Sequence, residues 1–425
     1  MPALGLGLGL ALDSGAGNPD GLSLDLQFAT DKTLTARKGP TPTFTRASTA
    51  TFVGSDGLIQ SAAINAARFD YNPTTLASLG LLMEESRTNL VLQSENHPSA
   101  SWSKTGLTVA SASNTNPSGA ATSNLVSEDA SVGLHRMFQS TAYVSGTSYS
   151  ISCFLKYAGR QFVAITHPAV AANGVAIFDI QNGTITLSQA GITSSITAYP
   201  NGWYRCVVNG VSTTTGGSSH IIQGSTTGGV LTGSYSGLNG AAFYIYGSQV
   251  EAGAFPTSYI PTTTASVVRS GDACSITGAD FTGFYNQSEG TIVGSGSTNQ
   301  PIIISGTVLF KAFDGTDNNR IQVGMTNSPT EGIRPFIVAS GTLTYSNKHG
   351  TATIGVERKV GTAYKTNDAI SSFNGTLGTL DTTVTPPTNC NVATLFTGFG
   401  NGTISSFRYF KKRLSDAKLQ SLTAP

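Results

Sequence analysis

The run YSISCFLKY (149–157) decides the class of this fold. Tyr149, Ile151, Cys153, Leu155 and Tyr157 alternate with Ser150, Ser152, Phe154 and Lys156. Successive side chains on an extended backbone point to opposite faces, so this alternation predicts a strand with one face toward a core. The same pattern recurs on either side. Asn173-Gly174 and Asn182-Gly183 bracket Val175–Ile180, a strand with turn residues at both ends. Pro200-Asn201-Gly202 precedes Trp203–Val208, and Ala241–Val250 is a further aromatic strand. It runs into AGAFPTSYIP (252–261), where two prolines stop strand pairing and predict an extended exit. Residues 98–261 are therefore expected to form one β-sandwich.

Residues 275–425 predict a second sandwich. Its units are Gly306–Phe313, Asn319–Met325, Arg334–Val338, Thr342–Tyr345, Thr353–Arg358, Ala363–Phe373 and Thr403–Lys411, with Asn374-Gly375 and Asn401-Gly402 as hairpin turns. A short helix closes the chain, with Ser415 as N-cap and Leu414 stapled to Leu419. The two halves share a weak repeat. FLKYAGRQFVAI (154–165) has the layout of LFKAFDGTDNNRIQV (309–323), and AIFDIQNGTITL (176–187) that of PFIVASGTLTYS (335–346).

Composition agrees with this class. Of 425 residues, 49 are Gly and only 11% are charged, while 39% are hydrophobic. That apolar content excludes disorder, and the β-branched, Ser/Thr-rich remainder reads as all-β. With 24 basic and 23 acidic residues the net charge is +1, so no footprint for nucleic acid is expected. The small basic clusters, Arg37-Lys38 and Lys411-Lys412-Arg413, read as solvated faces or contacts to a neighbouring subunit. Cys153, Cys206, Cys274 and Cys390 lack the C-x-x-C spacing of metal or redox sites. Reduced thiols are expected, with a Cys153–Cys206 bridge as the alternative. No run of apolar residues is long enough for a membrane span. Residues 1–21 open with LGLGLGL, which places four leucines on one face of an extended strand. This is expected to be an anchor peptide, or else a frayed tail. It is not read as a signal peptide, since its first basic residue is Lys32.

Between this peptide and the first sandwich lies the densest stretch of the chain, Phe44–Glu95. Arg46, Arg68, Glu84, Glu85 and Arg87 stand there among aromatics and leucines. Glu84 and Glu85 would point to opposite faces of a strand, and a buried carboxylate needs a partner, so one of them is expected to pair with an arginine. These five residues are the expected structural clasp of an N-terminal region, 22–97.

FTRASTATFVGSDGLIQSAAINAARFDYNP (44–73) and LGLLMEESRTNLVLQSE (79–95) resemble a segment of bacteriophage tail-fibre and minor tail proteins. SQVEAGAFPTSYIPTTTASVVRSGDAC (248–274) resembles its usual companion. GNGTISSFRYFKKRLSDAKLQSLT (400–423) is similar to the last strand and helix of their concanavalin-like domains. The resemblance implies an all-β chain of two tandem antiparallel β-sandwiches, with an extended N-terminal anchor region. A carbohydrate-module-like jelly roll (98–261) would be joined by a linker (262–274) to a concanavalin-like, or laminin-G-like, sandwich (275–425). It implies a virion component assembled in the bacterial cytoplasm, held to other virion proteins through its N-terminal region. Family members are often homotrimers. A tail fibre or appendage that recognises a host-surface glycan is the leading expectation, with a capsid-fibre, decoration or baseplate protein as the alternative.

The remaining polar residues show no strong catalytic or metal-binding pattern. His97, His135, His167, His220 and His349 lack metal-ligand spacing and read as surface or satisfied polar residues. The loop FDGTDNNR (313–320) offers Asp314, Asp317, Asn318 and Asn319 as hard oxygen ligands for calcium, but it reads better as a turn. No pair of carboxylates stands out for glycoside hydrolysis, and no G-x-S-x-G elbow occurs. The chain is not expected to be an enzyme, a polysaccharide depolymerase being the minor alternative. For glycan stacking, Trp102, Tyr235 and Tyr285 flank loop-like sequence, whereas Trp203 reads as core. Asn182, Asn286, Asn374 and Asn401 match Asn-x-Ser/Thr but are expected to be unmodified.

Overall fold

The computed structural model describes residues 18–168, 170, 174–299, 307–325, 333–348, 353–397 and 401–425. The leucine-glycine stretch of the anchor peptide and His349 lie outside the described residues.

The alternating strand Ser148–Tyr157 sits inside a six-stranded antiparallel sheet. Its spatial order is Ile192–Tyr199, Trp203–Val211, Ser148–Tyr157, Gly240–Ala252, Ser123–Glu128, Leu107–Ala112. A second six-stranded sheet packs against it, in the order Thr184–Ser188, Gly174–Asp179, Phe162–His167, Gly216–Ser225, Arg136–Tyr143, Ser103–Thr105. Ile151, Cys153 and Leu155 of the first sheet share one core with Val163, Ile165 and Phe178 of the second. Each such buried aliphatic or aromatic side chain stabilises the fold by roughly 1.5–3 kcal/mol. Phe154, Ser150 and Ser152, on the other face of the same strand, are buried too. Arg205 on the adjacent strand ties that outer face to the exit segment through the Thr257 carbonyl, 2.7 Å away.

The second sandwich pairs an eight-stranded with a seven-stranded sheet. The first runs Thr376–Leu377, Asp368–Phe373, Arg358–Lys365, Glu289–Thr298, Gly402–Phe410, Ser78–Met83, Phe69–Tyr71, with Leu22–Leu26 also on Gly402–Phe410. The other runs Thr43–Thr45, Ala273–Thr277, Val392–Thr397, Thr307–Phe313, Arg320–Met325, Ile333–Ala339, Thr342–Ser346. Leu24, Leu81, Ile292 and Phe407 meet Phe44, Ile276, Phe310 and Leu395 in its core.

The domain boundaries therefore differ from those expected. Residues 22–97 are not a region of their own, because four of their strands complete the second sandwich. Gly402–Ile404 pairs with Leu81–Met83, and Phe407–Phe410 with Leu22–Leu26. Without these partners the strand carrying Ile404, Phe407 and Tyr409 would expose an unpaired apolar edge. Residues 262–274 are not a linker, since Val267–Arg269 pairs with Arg87–Asn89 and Ala273–Thr277 enters the seven-stranded sheet. The jelly-roll segment is thus inserted between two parts of the other sandwich.

Other differences are local. Residues 353–357 are turn and coil, with a strand starting at Arg358. The expected unit Ala363–Phe373 is a hairpin turning at Asn367, whose φ of 58° suits asparagine. Asn374-Gly375 forms a hairpin turn, but Asn401-Gly402 does not, because the strands before and after it lie in different sheets. Of the two repeat pairs, only the second is matched hairpin for hairpin. Ser148–Tyr157 and Phe162–His167 go to different sheets, whereas Thr307–Phe313 and Arg320–Met325 pair directly. The closing helix, Asp416–Thr423, starts at Ser415, whose side chain accepts the Lys418 amide, and Leu414 and Leu419 share a small core. All four cysteines are buried and free, with Cys153 directly opposite Cys206.

The described histidines are not on the surface: His97, His135, His167 and His220 are all buried in the first sandwich. Burial holds His97 down at about 3 and His220 at about 4, against ~6.5 in an unfolded chain. The unfolded state then binds more protons between those values, so stability is full above pH ~6.5 and falls as pH drops toward 4. Scanning calorimetry should show the first sandwich's melting midpoint falling over this window, and the His220→Gln variant should flatten the fall.

Candidate functional site

The expected clasp residues lie where short strands of the second sandwich end. Arg46 follows Thr43–Thr45, Arg68 precedes Phe69–Tyr71, Glu84 follows Ser78–Met83, and Asp272 precedes Ala273–Thr277. Arg269 ends Val267–Arg269. These ends converge, and the five side chains form one buried charge cluster. Arg68 Nη1 donates to Glu84 Oε2 at 2.7 Å, and its Nη2 to Asp272 Oδ2 at 2.5 Å. Arg46 Nη1 donates to Asp272 Oδ1 at 3.1 Å, and Arg269 Nε stands 3.4 Å from Glu84 Oε2. Three guanidiniums face two carboxylates. The excess positive charge is met by carbonyl dipoles: Arg46 donates to Ser48 and Ala63, and Arg269 to Glu85 and Ser270. Burial alone would raise Glu84, but Arg269, Arg68 and the amide and hydroxyl of Ser258 outweigh it and bring Glu84 down to about 2.

Glu85 and Arg87 stand apart from this cluster. They pair with each other nearer the surface, and Arg87 lies 4.8 Å over the Phe255 ring and donates to the Ala252 carbonyl. Gly253 makes room for it, since a Cβ there would fall 1.2 Å from Arg87 Nη1. Asn89 completes the join. Its side chain donates to the Ser248 and Ile260 carbonyls and accepts the Val250 amide, all from the segment 248–274. Sequence reasoning did not single out Arg269, Asp272 or Ser258. For Arg269 and Asp272 the signal was present in VVRSGDAC (267–274), two charges between short apolar pieces, whereas nothing local marked Ser258.

The three candidate stacking aromatics are packed inside. Trp102 lies between His97 and His220, with ring centres 4.9 and 5.5 Å away, and its indole N–H donates to the Gln93 carbonyl. Tyr235 is held between Arg160 and His135, with its hydroxyl on Glu128. Tyr285 stacks between Phe281 and Tyr409. None offers a free ring face, because each fills a core position, as Trp203 also does. In the 313–320 loop, Asp314 accepts Thr316 and Asn319, while Asp317 pairs with Lys311 and Arg320. Asp314 closes the turn, Asp317 faces cations, and Asn319 instead accepts the Ser340 amide. The described residues contain no cluster of three or more His, Cys, Asp or Glu side chains placed to hold a metal.

A cleft of about 550 Å³ lies between the sandwiches. One wall is the outer face of Ile192–Tyr199 and Trp203–Val211, where Thr193 faces Asn209, Ser195 faces Val207 and Thr197 faces Arg205. The opposite wall comes from Phe52–Val53, Asp70–Pro73 and Leu79. Thr74 donates to the Ala198 carbonyl at 3.0 Å and so ties one wall to the other. Asp70 Oδ1 accepts the Val53 amide at 2.7 Å, and burial drives this carboxyl up to about 7.

No protein-family model and no curated protein matches the chain. Solved structures similar to it include the CBM40 of Ruminococcus gnavus IT-sialidase bound to α2,3-sialyllactose, at 17% identity over 33% of this chain and 84% of that one, TM-score 0.28. Domain 4 of AbnA, a GH43 extracellular arabinanase from Geobacillus stearothermophilus, in complex with arabinotriose, is similar at 11% identity over 39% and 80%, TM-score 0.30. Trypanosoma rangeli sialidase in complex with the inhibitor DANA is similar at 11% identity over 71% and 66%, TM-score 0.28. At these scores the likenesses assign no ligand or activity to this chain.

Two substitutions test the clasp. Arg68→Ala removes the guanidinium that bridges Glu84 and Asp272 and leaves buried carboxylate oxygens without their hydrogen bonds, and urea denaturation should show a loss of about 3–5 kcal/mol. Gly253→Ala must expel Arg87 and should cost more than about 1 kcal/mol. Combined with Arg87→Ala, its effect should be less than additive, since the clash with Arg87 is relieved while the backbone strain at Gly253, φ 144°, remains.

Proposed function

We propose that this chain is a structural, non-enzymatic protein of a phage virion, a tail fibre or similar appendage that contributes to recognition of a host-surface glycan. One observation carries the structural part. The two segments that resemble phage tail proteins, 44–95 and 248–274, meet in a buried cluster whose charges are spent on one another. A catalytic carboxylate must be free to reach substrate, whereas Glu84 and Asp272 are buried and each is held by two arginines. In this reading the cluster fixes the inserted sandwich rigidly to the sandwich that carries it. Assembly as a homotrimer, attached to other virion proteins through the N-terminal region, would multiply a weak sugar affinity.

A second reading, a capsid-fibre, decoration or baseplate protein without a ligand, is favoured by the burial of Trp102, Tyr235 and Tyr285. Electron microscopy of intact particles labelled with antibody to this chain separates the two. The expected result is label on the tail, together with binding of the purified protein to host cells and no reducing ends released from host polysaccharide. Label on the capsid with no cell binding would establish the second reading, and absence from the particle would refute both.

A further inference from the structure

We propose that the cleft between the two sandwiches is the saccharide-binding site of this protein, and that it takes a short, polyhydroxylated oligosaccharide. This rests on the glycan-recognition reading above and gives it a place. At about 550 Å³ the cleft lies within the ~300–1,000 Å³ range of small-molecule sites. It is also where chain elements distant in sequence meet, since its walls come from residues near 70, 200, 255 and 401.

The chemistry of the lining selects the ligand class. Thr193, Ser195 and Thr197 project their hydroxyls from one face of an edge strand and are exposed. On the neighbouring strand, Arg205 and Asn209 stand opposite Thr197 and Thr193 in register. Asn209 donates to Thr193 at 3.3 Å, which leaves its carbonyl oxygen buried without a partner among the described residues. Asn401, 1% exposed, likewise has an amide nitrogen without one. Buried polar atoms left in this state cost roughly 1–3 kcal/mol each, and ligand hydroxyls can donate to the first and accept from the second. Asp70 keeps hydrogen-bonding capacity beyond the Val53 amide, as an acceptor when ionised and through its O–H as a donor when protonated. Tyr71 and Tyr199 are half-buried at the rim and offer apolar ring surface beside these groups.

The alternatives fit less well. One arginine, Arg205, among two carboxylates, Asp70 and Glu84, is no cradle for a phosphate chain, which needs converging amides or several cations. An apolar ligand would leave the amides and the hydroxyl ladder unmet. Sugars alternate hydroxyl edges with apolar C–H faces, and this lining alternates in the same way.

The test uses the full chain, fluorescently labelled, on an array of bacterial O-antigen and capsule oligosaccharides. Ser195→Arg places a bulky side chain in the cleft from an exposed position. Asn209→Ala removes one acceptor without adding bulk and decides the matter if the first variant misfolds. Ser188→Arg, on an exposed edge strand of the other sheet, is the control. The expected result is binding by the wild type and the control, with at least a tenfold loss in both cleft variants. Unchanged binding by folded cleft variants would overturn the cleft as the site and leave glycan recognition standing. Binding to no oligosaccharide by the wild type would overturn both.

Discussion

The interaction on which this structure depends is the buried cluster of Arg46, Arg68 and Arg269 with Glu84 and Asp272. Taking an ion out of water costs several kcal/mol, so such a cluster persists only where every charge meets an opposite charge or a dipole. Here each one does. The geometry demands that strand ends near residues 46, 68, 84 and 272 arrive at one point, and that demand fixes how the chain enters and leaves the inserted sandwich. Asn89, Arg87 and Thr51 extend the join through the backbone carbonyls of residues 248–260. A purely apolar junction would hold the two sandwiches together, but it would specify their relative position less sharply, because apolar contacts are not directional.

The same constraint explains the cleft. The clasp pins one end of the junction, and the contact of the 72–76 turn with Ala198 pins another. Between them the walls do not close, and polar side chains of the Ile192–Tyr199 strand and its neighbour remain in reach of solvent. Rigidity at the clasp and openness beside it are two results of one arrangement. A cleft assembled across rigidly joined bodies would lose little entropy on binding a ligand.

Much of the fold was legible in the sequence. Period-two alternation in 149–157, the Asn-Gly turns at 182–183 and 374–375, and Ser415 as helix cap each act over a few residues, so local rules find them. The domain boundaries were not legible in this way. Leu22–Leu26 pairs with residues almost four hundred positions away, and nothing local marks a strand's partner. The aromatic candidates illustrate the same limit. Trp102, Tyr235 and Tyr285 flank turn-like sequence, but burial depends on what packs over them from elsewhere, and in each case His, Arg or Tyr from distant strands does so.

The sequence by itself determined the all-β class, the antiparallel sandwiches, and the fact that Phe44–Glu95 holds charges in an apolar setting that would need partners. Those follow from side-chain periodicity and from the cost of burying an ion. Only the tertiary structure decided which partners those are, that four strands between residues 22 and 83 belong to the second sandwich, and that an open polar cleft lies between the two bodies. Pairing across hundreds of residues is set by the total burial of apolar edges and the simultaneous satisfaction of all the charges, and no short stretch of sequence contains that sum.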